Sequence, residues 1–298
     1  MSAKPTMLIG GPTGRTGSVA AKLLLQRGYP VRALVHHDDS RTKELKAIGA
    51  EIFVCDYLDI RAIRRAFEGI KRAYFVYPML PGLVEATANF AQAALEAKAE
   101  FIVNMSQRTS RSDALSDSAL THWLAERVFD RWPVPVCHLQ PTAFNEWLTI
   151  MSPMIRDGRY AVPFGTTGRF APISAEDQGE VIANILADPK GHGGKTYSLF
   201  GSVELTPPEI ANILSETLGK PIRYERITGA QWSREVTGRD IPFFAQHIQA
   251  IGEMHHLGQM AGTNDIVEKI IGRRPESVEE FVKKHRAAWV DEVDHGTG

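Results

Sequence analysis

The chain has 298 residues, 43% hydrophobic and 23% charged, a globular composition long enough for one large domain or two unequal ones. Thirty-four Lys and Arg against 35 Asp and Glu leave a formal charge of −1, so no global field draws the protein to nucleic acid or to an anionic membrane. Cys55 and Cys137 are its only cysteines, each in or beside an apolar run, which excludes a disulfide framework and argues against zinc. Met1 to Pro5 carry no signal-peptide pattern, and no apolar run is long enough to span a membrane. The expectation is a soluble, cytoplasmic protein, monomer or homodimer, whose partner is a small molecule and not nucleic acid or membrane.

Six short apolar runs rich in β-branched residues read as strands: Met7 to Gly10, Val31 to His36, Ile52 to Cys55, Ala73 to Tyr77, Phe101 to Met105 and Val134 to Leu139. Helical patterns alternate with them at Thr16 to Gln26, Ser40 to Ile48, Ile60 to Phe67, Leu83 to Ala97 and Ala119 to Arg131. This alternation predicts an α/β fold, a Rossmann-type doubly wound parallel sheet. After Pro141 the pattern breaks at Pro153, Pro163, Gly165, Gly168 and Pro172. The expected organisation is therefore a dinucleotide-binding domain over 1–141, with later segments returning to it, and a smaller α/β substrate lobe formed mainly by 142–298. Helices return at Glu176 to Leu186, at Pro208 to Leu218 behind the N-cap Thr206, and at Ser277 to Trp289, whose first turn is acidic. The tail after Asp291 is expected to fray.

Gly10-Gly11-Pro12-Thr13-Gly14-Arg15-Thr16-Gly17 follows the first strand and opens the first helix, the context a dinucleotide fingerprint requires. The first glycines permit the sharp turn, Gly14 lets backbone approach pyrophosphate, and Gly17 allows close packing of helix on strand. Gly11, Thr13, Gly14, Arg15, Thr16 and Gly17 are thus candidate cofactor contacts. An acidic residue at the end of the second strand would hold the ribose 2′-hydroxyl of NAD. His36 and His37 stand there instead, and Arg15 projects from the turn, so NADP(H) is expected over NAD(H). Asp56, after the third strand, is a candidate for adenine.

Ligands of open parallel sheets bind outside the carboxyl ends of the strands, which selects Tyr77, Pro78 and Asn104 for the cofactor and Met105, Ser106 and Gln107 for the reacting centre. His122, with an ordinary pKa near working pH, is a candidate proton donor. Glu126, one turn later, is placed to orient it. Phe144, Asn145 and Trp147, with Met151, Met154 and Phe164 beyond them, suit a flat apolar substrate. His247, His255 and His256 complete no metal-binding spacing, and no metal is expected.

The glycine turn, the strand order and two further segments resemble the NmrA-like group of atypical short-chain dehydrogenases/reductases, in particular its NADPH:quinone reductase and triphenylmethane reductase branch. The segments are His122-Trp123-Leu124-Ala125-Glu126 with the stretch from Val136 to Glu146, and Ile271 to Pro275 with Phe281. The resemblance implies a first domain for NADP(H) and a small lobe over the substrate; the group includes both reductases and dinucleotide-sensing regulators. Gln140 departs from its usual arginine. No tyrosine is followed four residues later by lysine, so the short-chain dehydrogenase proton relay is absent. The expected activity is NAD(P)H-dependent reduction of a quinone-like or other conjugated apolar molecule, with His122, Ser106 and Glu126 catalytic; the alternative is a redox-sensing regulator that does not turn over.

Overall fold

The computed structural model describes residues 4–290; the expected frayed tail lies outside them. In chain order the first elements are β1 (Met7–Gly10), α1 (Arg15–Gln26), β2 (Val31–Val35), α2 (Lys43–Ala47), β3 (Glu51–Val54), α3 (Ile60–Ala66), β4 (Arg72–Phe75), α4 (Leu83–Glu96), β5 (Phe101–Met105), α5 (Asp117–Arg131) and β6 (Val136–Pro141). There follow α6 (Trp147–Ile150), α7 (Ser152–Arg156), β7 (Arg159–Val162), α8 (Ala175–Ala187), β8 (Lys195–Leu199), α9 (Pro207–Leu218), β9 (Arg223–Arg226), α10 (Gly229–Thr237), α11 (Pro242–His256), α12 (Ile266–Ile271) and α13 (Val278–Lys284). The chain divides into two compact units. The first comprises the chain through Pro141, Ala175–Leu199 and Asp265–Arg274; the second comprises Thr142–Ser174, Phe200–Asn264 and the chain from Pro275.

The first unit is a parallel seven-stranded sheet in the order β3-β2-β1-β4-β5-β6-β8, flanked by helices as the alternating pattern predicts. Its central strands are buried on both faces, which is why β1 (Met-Leu-Ile-Gly) reads as continuously apolar. One core joins Leu8 and Phe75 of the sheet to Phe67, Phe90 and Phe129 beneath α3, α4 and α5. The order reverses between β1 and β4, and the carboxyl ends of these strands define the crevice where such sheets bind ligands. The second unit packs α9, α10, α11 and α13 with a two-stranded parallel sheet, β7-β9, around a core that includes Phe164, Phe170, Trp232, Phe281 and Trp289.

Three expectations need correction. The predicted helix from Ser40 opens as a 3-10 turn over Ser40–Thr42, because the Asp39 carboxylate accepts from Arg41 N and Thr42 Oγ1 donates to the Asp39 carbonyl. The last helix keeps its Ser277 cap but ends at Lys284, short of Trp289. Beyond Lys284 the chain tightens into a 3-10 turn over Arg286–Ala288, and the Trp289 indole, 1% exposed, donates to the Leu148 carbonyl at 3.1 Å. The sheet also has a seventh strand, β8, whose Lys-Thr-Tyr-Ser-Leu sequence lies on an edge and lacks an apolar run.

Candidate dinucleotide site and reacting centre

The turn from β1 into α1 is built by close approach. Gly11 has φ +54°, in the left-handed region that glycine enters without a Cβ penalty. A Cβ on Gly17 would lie 2.3 Å from the Gly11 carbonyl oxygen and 2.7 Å from that of Gly10, so only glycine lets the helix seat on the strand. Gly10 is constrained by a residue the sequence did not single out: the Tyr57 hydroxyl would be 2.3 Å from its Cβ. That hydroxyl is buried without a hydrogen-bond partner among the described residues, and burial drives its pKa upward. Gly14 differs from its neighbours. Its nearest obstruction is the Gly11 oxygen at 3.1 Å, and at φ −88° it has ordinary backbone geometry, so what glycine provides there is an open outer surface.

Gly14 is the N-cap of α1 and no side chain caps the helix. The first-turn amides have no intrahelical acceptors and carry the positive end of the helix dipole, a ready seat for phosphate. Thr16 turns its hydroxyl inward, 2.9 Å from the Tyr74 hydroxyl, so its outward contribution is backbone. Thr13 is half-buried, and Arg15 is exposed on the turn. These residues fit the diphosphate of a dinucleotide.

Beyond β2, His36 and His37 are exposed with ring centroids 4.3 Å apart. The carboxylates that follow are already engaged. Asp38 accepts from Lys46 Nζ at 2.6 Å and Thr42 Oγ1 at 2.5 Å, and Asp39 pairs with Arg41 at 2.6 Å; these partners hold both carboxyls below the usual carboxylate range. Asp56 is exposed and closes a local turn by accepting from Leu58 N.

At the end of β4, Tyr77 donates to the Pro81 carbonyl at 3.2 Å, and Pro78 is exposed. Along β5, Asn104 is 2% exposed and bonds His138 Nδ1 at 2.9 Å, while His138 Nε2 lies 3.0 Å from Asp130 Oδ1. The imidazole thus accepts from the amide and donates to the carboxylate. Met105 is buried, and the Gln107 carbonyl oxygen accepts from Thr109 Oγ1.

Ser106 Oγ donates to Glu126 Oε1 at 2.5 Å, and Gln140 Nε2 donates to the same oxygen at 2.9 Å. Ser106 and Glu126 are 4% and 2% exposed. Glu126, expected to orient His122, therefore spends its carboxylate on β5 and β6 instead. Gln140, a departure of unknown consequence in the sequence, is its second donor. His122 sits half-buried on the same helix. Burial pushes its pKa down to about 4, so its imidazole is neutral at neutral pH.

In the second unit, Asn145 N donates to the Ile173 carbonyl at 3.0 Å, fixing the segment that carries Phe144, Asn145 and Trp147. These three line a small apolar cavity of about 20 Å³, room for about one water molecule. Met151 and Phe164 line it too, as does Tyr160 on β7. Tyr160, Phe170 and Ile210 carried no signal in the sequence, because they are ordinary core types that only the fold brings to one wall.

A parallel sheet with a glycine turn and an uncapped helix at its switch point defines a dinucleotide-binding α/β protein. The chain belongs to the NmrA-like family, which it matches over residues 3–286. It is 30% identical to an NAD(P)H azoreductase from Xenophilus azovorans, over 95% of this chain and 99% of that protein. Among solved structures it resembles an NADPH-dependent quinone oxidoreductase from Escherichia coli complexed with NADPH (TM-score 0.82, 21% identity, covering 93% of this chain and 99% of that one). It also resembles the negative transcriptional regulator NmrA in complex with NADP (TM-score 0.81, 18% identity, covering 97% and 99%).

Proposed function

We propose that this oxidoreductase transfers a hydride from NADPH, in preference to NADH, to a conjugated, largely apolar small molecule of the quinone or azo class. The observation that carries the reading is that, among the described residues, neither Ser106 nor His122 is poised to donate a proton. Ser106 Oγ commits its O–H to a hydrogen bond with Glu126, and burial lowers the His122 pKa to about 4, which leaves its imidazole neutral at neutral pH. With no Tyr-x-x-x-Lys relay in the chain, the acceptor must delocalise the incoming electron pair itself and take its proton from a weak donor or from water.

Bound nicotinamide would supply the hydride. This chain's residues would do the rest. The amides after Gly14, together with Gly11 and Thr13, bind diphosphate; Tyr77, Pro78 and Asn104 bound the nicotinamide end; Met105, Ser106 and Gln107 border the acceptor. Phe144, Asn145 and Trp147 serve the acceptor's apolar body. His36, His37 and Arg15 favour a 2′-phosphate, since the nearby Asp38 and Asp39 carboxylates are committed to Lys46, Thr42 and Arg41. The likeness to NmrA supports a second reading, a sensor that binds dinucleotide without turnover. NADPH consumption against quinones, azo compounds and cationic dyes, run beside NADH, separates the two: turnover supports the reductase, and tight NADPH binding with no turnover supports the sensor.

A further inference from the structure

His36 and His37 leave the end of β2 side by side, both exposed, with ring centroids 4.3 Å apart and planes 57° from parallel. In an open parallel sheet of this kind, that is the position from which the 2′ substituent of a dinucleotide is read. The carboxylates around the pair are already engaged. Asp38 accepts from Lys46 Nζ at 2.6 Å, Asp39 accepts from Arg41 Nη2 at 2.6 Å, and Glu44 of α2 pairs with Lys22 of α1 at 2.7 Å. Asp56, beyond the neighbouring β3, closes its own turn on Leu58 N. Arg15 on the glycine turn and Lys43 at the start of α2 are exposed, and arginine and lysine keep their charge across neutral pH. Asp39 is held low chiefly by its hydrogen bonds from Arg41, and the charge of His37 adds to that effect. His37 therefore lies within electrostatic reach of a neighbouring anion.

Histidine is the side chain whose charge changes near neutral pH. Two imidazoles this close resist taking two protons, because each charge disfavours the other. A phosphate ester, whose second ionisation lies near pH 6, brings up to two negative charges and offsets that repulsion through charge-assisted hydrogen bonds. We propose that His36 and His37 take up protons when the 2′-phosphate of NADPH binds, so that the choice of NADPH over NADH is set by pH and strengthens as the pH falls through neutrality. NADH carries a hydroxyl at that position and gives the imidazoles no charge to answer. The proposal rests on the NADPH preference argued above and adds how that preference is regulated. Proton and phosphate are coupled reciprocally, each tightening the other. A site built on arginine alone would behave differently: its selectivity would be flat above neutrality and would fall below about pH 6 as the phosphate itself protonates.

The test is calorimetric titration of NADPH and of NADH into the full chain from about pH 8.5 to about pH 6.5, the range over which histidine gains its charge. Each titration is repeated in two buffers of different ionisation enthalpy, which counts the protons taken up. The NADPH-to-NADH affinity ratio should rise about tenfold or more across that range, with net proton uptake for NADPH in excess of that for NADH. In the double variant His36→Asn with His37→Asn, both at exposed positions, the excess uptake should vanish and the ratio should become flat while NADH affinity is kept. A ratio that is flat or falls with falling pH in the parent, with NADPH still the tighter ligand, would overturn this proposal and leave the cofactor preference standing. Equal affinity for the two dinucleotides at every pH would overturn both. Excess uptake that persists in the double variant would assign the proton to other groups and overturn the proposal as well.

Discussion

Ser106 and Glu126, twenty positions apart in the chain, meet through a buried 2.5 Å hydrogen bond that ties the end of β5 to α5. The carboxylate takes a second donor from Gln140, so its removal orphans two polar groups at once. Leaving a buried donor unsatisfied costs about 1–3 kcal/mol. Glu126→Ala should therefore lower the melting temperature by several degrees, whereas Glu126→Gln, which keeps an acceptor oxygen, should lose less. Ser106→Ala should lower kcat/KM about tenfold, equivalent to about 1.4 kcal/mol, with a smaller change in melting temperature than Glu126→Ala. Steady-state kinetics beside thermal melts check both; identical melting curves for the two Glu126 variants would contradict the geometry.

The glycine turn makes two separable demands. Gly17→Val would drive side-chain atoms into the Gly10 and Gly11 carbonyls, overpacking of a kind that costs about 1–3 kcal/mol, and should destabilise the fold. Gly14→Val meets only the Gly11 carbonyl oxygen, 3.1 Å from its new Cβ, and should lower the melting temperature less than Gly17→Val does. It should nevertheless abolish NADPH binding by standing where phosphate would sit. Calorimetric titration of both variants, each with a melt, distinguishes a fold defect from a blocked site.

Cofactor choice is predicted to lie at the end of β2. Arg15→Ala should weaken NADPH about tenfold, the size of a lost charge-assisted contact, and leave NADH nearly unchanged. His36→Asp should shift the preference toward NADH by offering the 2′-hydroxyl an acceptor. Parallel NADPH and NADH titrations read both effects, and an equal loss for the two cofactors in Arg15→Ala would remove that residue from discrimination.

His255 is fully buried and stacked on Phe164 at 4.9 Å, and burial lowers its pKa from 6.5 to about 4. The folded state thus favours the neutral ring. That contribution is complete above pH 6.5 and is lost as the pH falls toward 4, at up to about 1.4 kcal/mol per unit. Melting temperatures recorded from pH 7.5 to 4 should fall across this window, and His255→Phe should flatten the fall. An unaltered slope would assign the acid sensitivity to other groups.

The sheet was legible because parallel strands buried on both faces leave continuous apolar runs. Strands without that burial, such as Lys195–Leu199 on the edge and Arg223–Arg226 in the smaller sheet, leave none. The dinucleotide turn was legible because close backbone approach demands glycine, yet the reason for Gly10 was hidden in Tyr57, remote in sequence. Local spacing suggested that Glu126 would serve His122 on its own helix. The pairing of Glu126 with Ser106 and Gln140 depends on how α5 lies across β5 and β6, which no periodicity encodes.

The central claim is hydride transfer from NADPH to a conjugated acceptor. Single-turnover reaction of the purified protein with NADPH bearing deuterium at C4, in turn as each stereoisomer, tests it most directly against a quinone that reports hydride loss by absorbance. The account predicts NADPH oxidation faster than NADH oxidation, and a primary isotope effect with one stereoisomer only. Tight NADPH binding with no acceptor-dependent oxidation across quinones, azo compounds and dyes would contradict it.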